Sequence, residues 1–66
     1  MVYFVVPEVD VRYLTVYEDP ETGIVFQNWM FKFSVEAQVY VNGRNSGLSD
    51  EEAYEKATGR SLKDGG

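Results

Sequence analysis

The sequence contains no cysteine and no histidine. No disulfide can restrain the unfolded chain, and no Cys/His site can hold a structural zinc. The same absence closes the Ser-His and Cys-His routes to an activated nucleophile. Lys and Arg number 6 against 11 Asp and Glu, a formal net charge of −5. The cations Arg12, Lys32, Arg44, Lys56, Arg60 and Lys63 are scattered along the chain. Phosphate neutralisation needs a clustered basic face, so nucleic acid is not an expected partner. Long apolar runs are missing as well. Residues 1–6 are apolar but lack a basic leader and end at Pro7, too short for a signal core or a membrane span. These absences lead to the expectation of a cytoplasmic protein with no membrane contact, no cofactor and no metal.

What remains is a chain of 66 residues, 44% hydrophobic and 15% aromatic, which is globular rather than disordered in character. It has room for one domain. At this length the hydrophobic gain and the entropy cost nearly cancel, and small domains usually add a disulfide, a metal or a second subunit. With the first two excluded, self-association is the expected remedy, a homo-oligomer with a dimer as the first guess.

Period-2 alternation is the clearest pattern. From residue 25 the odd positions are Val25, Gln27, Trp29, Phe31, Phe33, Val35, Ala37, Val39 and Val41, all but one apolar, while the even positions become polar toward residue 42. The first segment behaves alike, with Tyr3, Val5, Val9, Val11, Tyr13 and Tyr17 in its odd row. Such rows predict strands with one buried face. Pro7 cannot donate to a ladder and marks an edge, a bulge or a break. Asp19, Pro20 and Gly23 between the segments predict a hairpin loop.

Face matching favours an even register sum. At a sum of 42, Val9, Val11 and Tyr13 meet Phe33, Phe31 and Trp29, and Asp10 meets Lys32. Residues 34–37, Ser-Val-Glu-Ala, carry no turn residue, so one long strand over 24–41 is expected, with a split at 34–36 as the alternative.

Residues 42–47 read as a loop and a helix start follows. Ser49 and Glu52 make a capping box, Leu48 and Ala53 a hydrophobic staple, and Gly59 a C-terminal stop. The expected architecture is therefore α+β: a long curled antiparallel hairpin or short meander of two to four strands, then one short C-terminal helix, a ββα layout. The single domain 1–66 divides into a β region over 1–42, a loop over 43–48, a helix over 49–59 and a loose tail over 60–66.

Chemistry-bearing patterns are few. Glu18, Asp19 and Glu21 gather at the hairpin tip, and Asp50, Glu51, Glu52 and Glu55 on the helix. Acid catalysis needs one carboxyl raised by burial, and both groups read as solvated. Neither has the loop spacing of a calcium site. Residues 43–47, Gly-Arg-Asn-Ser-Gly, lack the lysine of a phosphate loop. An enzyme is not expected. The final Gly65 and Gly66 resemble the end of ubiquitin-like modifiers and sulfur carriers, which implies an activated terminal carboxylate; in those families a strand leads into the diglycine, whereas here a helix and a Gly-rich tail precede it.

The even rows hold the most informative side chains. Leu14, Val16, Phe26 and Met30 are apolar where a solvated face should be polar, with Arg12, Glu18 and Asp19 around them. One short helix can cover one side of a sheet only. An apolar patch with a charged rim is the form of a protein interface. These seven residues are the expected partner-binding set. The expected function is that of a small acidic non-enzymatic module that self-associates through its sheet and binds, and thereby blocks, another protein, as small phage-type inhibitors do. The alternatives are a modifier or carrier using the Gly66 carboxylate, and a purely structural oligomer subunit.

Overall fold

A computed structural model of the chain describes residues 2–7 and 12–61. Strands β1 (Val2–Pro7), β2 (Tyr13–Glu18) and β3 (Val25–Phe31) are followed by helices α1 (Ser34–Asn45) and α2 (Asp50–Thr58). The strands form one antiparallel sheet in the order β1-β2-β3. The α+β class holds; the ββα layout with a single helix is replaced by a three-stranded meander with two helices on one face. Val9, Asp10 and Val11, and Leu62 to Gly66, lie outside the described residues.

The β2–β3 loop closes as its composition demands. Asp19 accepts from the Gly23 amide at 2.8 Å and donates its own amide to the Ile24 carbonyl at 3.0 Å. The Asp19 carboxylate accepts from the Glu21 amide at 2.9 Å. Gly23 sits at φ 74°, where a side chain would be strained. Pro7 ends β1 on an edge of the sheet, the position where its missing N–H costs no ladder bond.

The long strand over 24–41 stops at Phe31, and residues 34–45 are helical. Two periods compete in this stretch. Val35, Ala37, Val39 and Val41 alternate, while Ala37, Tyr40, Val41 and Arg44 recur at helical spacing. Packing decides for the helix: Ala37, Tyr40 and Val41 are buried, and Val35 is 67% exposed. Phe33, also expected in a buried row, is exposed because the strand has already ended. The helix gives little warning of its start. Its N-cap is Phe33, which has no capping side chain. The β region thus ends at Phe31, well short of residue 42, and the loop expected over 43–48 shrinks to residues 46–49.

The second helix forms as its sequence requires. The Ser49 hydroxyl accepts from the Glu52 amide at 3.2 Å and donates to the Glu52 carboxylate at 3.1 Å. Gly59 ends the helix in the left-handed region. The two helices approach closely at Gly43, where an added Cβ would stand 3.1 Å from Leu48 Cδ1 and 3.2 Å from Ala53 Cβ.

Tyr3, Phe31, Ala37, Tyr40, Val41 and Ala53 form the core, flanked by Val5, Tyr13, Tyr17, Trp29, Leu48, Tyr54 and Ala57. The odd-row residues of β1 and β2 therefore face the helices, as face matching requires. The expected sum of 42, which set Tyr13 against Trp29, does not hold, and the pairing follows no single sum. Tyr13 pairs with Phe31 and Leu14 with Met30, whereas Val16 pairs with Gln27, Tyr17 with Phe26 and Glu18 with Val25. Asn28 and Trp29 together oppose the single residue Thr15, a β-bulge. The buried Thr15 hydroxyl donates to the Trp29 carbonyl at 2.6 Å and holds the irregularity in place.

Candidate interaction surface

Register fixes which side chains share the face turned away from the helices. Across the sheet, Val2, Glu18 and Val25 form one row, Phe4, Val16 and Gln27 the next, and Val6, Leu14 and Met30 the third. Leu14 and Val16 are 7% and 3% exposed, yet neither belongs to the helix-side core. They are the floor of a second apolar layer. Around them Val2, Phe4, Val25 and Met30 remain between 38% and 50% exposed. Both helices pack on the opposite side.

The expected set is brought together in part. Leu14, Val16 and Met30 share the outer face, and Glu18 stands at its hairpin end. Arg12 closes the other end, lining a cleft of about 320 Å³ with Met30, Phe31 and Lys32. Asp19 belongs to the turn beyond Glu18. Phe26 is the exception. The bulge inverts the parity of β3, so Phe26 lies beside Tyr17 on the helix side, ring centroids 6.0 Å apart and 24° from parallel. Simple alternation cannot reveal this. The expected set left out Phe4 and Val6, and Val25 was expected in the buried odd row; the bulge that turns Phe26 toward the helices turns Val25 outward. Among the described residues, the outer face has Glu18 at one end, with Asp19 and Glu21 in the turn beyond it, and Arg12 and Lys32 at the other. None of Arg12, Lys32 and Glu18 forms an ion pair with another described residue.

The helix side carries a polar network. Asp50 Oδ1 accepts from Trp29 Nε1 at 2.8 Å and from the Tyr40 hydroxyl at 2.5 Å, joining α2 to β3 and α1. Burial, then the hydrogen bond to Asp50, push the Tyr40 hydroxyl pKa up, so Tyr40 is held protonated. Arg44 donates to the Tyr3 hydroxyl at 2.6 Å and the Leu48 carbonyl at 2.8 Å, and lies 4.8 Å from the Tyr3 ring centroid. Burial pulls the Arg44 pKa down, but the hydrogen bond and the charges of Tyr3, Tyr40 and Asp50 outweigh it and raise it. Each residue of the network has a partner, although Arg44 Nε is buried without a hydrogen-bond acceptor. A second cleft of about 360 Å³ between the helices is lined by Val39, Asn42, Gly43, Ser46 and Lys56, and the Ser46 hydroxyl donates to the Gly43 carbonyl at 3.0 Å.

Among the described residues no group of three or more carboxylates could hold a metal ion. No helix among them is long and apolar enough to cross a membrane. Gly65 and Gly66, on which the carrier alternative rests, lie outside the described residues. Compared with known proteins, the chain matches no family model, no curated protein and no solved structure.

Proposed function

We propose that this chain is a small acidic, non-enzymatic protein-binding module that self-associates through its sheet and acts by binding, and so blocking, another protein. One observation carries the reading: the sheet has two apolar faces and the helices cover one. The outer face offers exposed Val2, Phe4, Val25 and Met30 around a floor of Leu14 and Val16. Water against such a surface is unfavourable at about 25 cal/mol per Å² of apolar area, and a protein surface of matching shape removes it.

Met30→Glu tests the reading. Met30 is 48% exposed, so the substitution leaves the core untouched while placing a charge on the face beside Leu14. The expected result is at least tenfold weaker association by sedimentation or light scattering, with an unchanged far-ultraviolet circular dichroism spectrum. Association of undiminished strength in a folded Met30→Glu protein refutes the outer face as the interface.

A further inference from the structure

The charged ends of the outer face name an occupant. Resting on the reading above, we propose that the outer face docks on the outer face of a second copy of this chain, with the β2 strands antiparallel, so that Arg12 and Lys32 of each copy meet Glu18 of the other.

Two sheets packed face to face can be related by a twofold axis lying between them in either of two directions. An axis running along the strands stacks like ends, Glu18 on Glu18 and Arg12 on Arg12. An axis running across the strands reverses one sheet and stacks unlike ends. Only the second arrangement is electrostatically self-complementary. The apolar rows fit it equally well. With the axis passing between the Val16 and Leu14 rows, Val16 faces Leu14 of the other copy, Phe4 faces Val6, and Gln27 faces Met30. The register that matches these rows is the same one that sets Glu18 over Arg12. Lys32 follows Met30 by two residues and adds its charge beside Arg12 in the same cleft. None of these charged groups makes an ion pair with another described residue, so docking breaks no ion pair among them.

The face is small. Three strands about 4.8 Å apart and about six residues long at about 3.4 Å each present a footprint of roughly 300 Å². Stable complexes bury about 800 Å² per partner. The dimer is therefore weak, with dissociation constants of order micromolar or above, and is read at protein concentrations up to the millimolar range.

Charge reversal tests the geometry apart from the face. Glu18→Lys sets a cation against Arg12 of the other copy and is expected to weaken self-association at least fivefold. Arg12→Glu sets two acids together and is expected to do the same. An equimolar mixture of the two variants restores an acid–base pair at one end and leaves a reversed acid–base pair at the other, and association should return to within about twofold of the original; the double variant should do likewise. Nuclear magnetic resonance spectra of each variant establish that it is folded. If Met30→Glu abolishes association but the mixture stays monomeric, the antiparallel arrangement is wrong while the outer face stands as the interface. If both reversals leave association unchanged, the charged ends do not meet. If the original chain is monomeric at about 1 mM by sedimentation equilibrium, the top of the concentration range in which the dimer is read, a second copy is not the occupant.

Discussion

Tyr40 and Asp50 show how one residue pair ties the helices to the sheet. The Tyr40 ring is fully buried and its hydroxyl reaches the same carboxylate oxygen that Trp29 uses. A hydrogen bond to a charged acceptor contributes about 1.5–3 kcal/mol. Tyr40→Phe is therefore expected to lower unfolding free energy at neutral pH by about 2 kcal/mol, measured by urea denaturation. The pH dependence has a definite sign. The folded-state pKa of Tyr40 is raised, so the folded protein holds this proton more tightly than the unfolded chain. The stabilisation is complete below the ordinary tyrosine pKa of about 10 and is lost as pH rises above it, at up to about 1.4 kcal/mol per pH unit. Tyr40→Phe should remove that alkaline slope. Identical alkaline slopes in the two proteins would show that the buried hydroxyl does not set it. From sequence, Asp50 reads only as an acid at a helix start. Its second role is invisible because Trp29 and Tyr40 reach it from elements distant in the chain.

At the level of elements, the legible parts are those governed by neighbours in sequence. The hairpin loop at 19–24, the Ser49 cap and the Gly59 stop depend on a few adjacent residues, and all three are where their chemistry requires. Helix α1 is not legible because Val35, Ala37, Val39 and Val41 satisfy a strand period, and the deciding contact, Gly43 against Leu48 and Ala53, exists only once α2 has folded back. The bulge at Thr15 has the same character: a threonine in an apolar row gives no notice that two residues will oppose it. Its consequence is large, since it separates Phe26 from Leu14, Val16 and Met30. The α1 C-terminus also controls a sheet edge. Asn45 accepts from the Tyr3 amide at 2.8 Å and donates to the Tyr3 carbonyl at 2.9 Å, taking the place of a further strand. Exposed edges invite unwanted pairing, and this amide blunts one of them. Asn45→Ala should destabilise the fold by about 1–3 kcal/mol and speed hydrogen exchange at the Tyr3 amide above all others in β1. Unchanged protection at Tyr3 would show that the side chain does not close the edge.

For the whole molecule, the governing fact is a mismatch of coverage. A three-stranded sheet exposes two faces, and both helices lie on the same one because the short link over 46–49 keeps them adjacent. The helix-side layer is rich in aromatics: Tyr3, Tyr17, Phe26, Trp29, Phe31, Tyr40 and Tyr54 form a continuous series of ring contacts with centroids 5.0 to 6.3 Å apart. The outer layer has Leu14 and Val16 as its only buried hydrophobics among the described residues. If a second copy completes that layer, folding stability must depend on protein concentration, because anything that binds only the folded state stabilises it by mass action. Well above the dissociation constant the free folded monomer grows as the square root of total protein. Each tenfold rise then adds about 0.7 kcal/mol per protomer, half of the usual ~1.4. For a domain of this size about 1 kcal/mol moves the midpoint by roughly 4–8 °C, so a tenfold rise in concentration should lift the thermal midpoint by about 3–6 °C. Met30→Glu should flatten this dependence. A midpoint independent of concentration up to about 1 mM in the original chain would mean that the outer layer is finished without a second copy. A target protein using the same face would compete with the second copy, and adding it should shift the dimer toward the mixed complex at constant total chain.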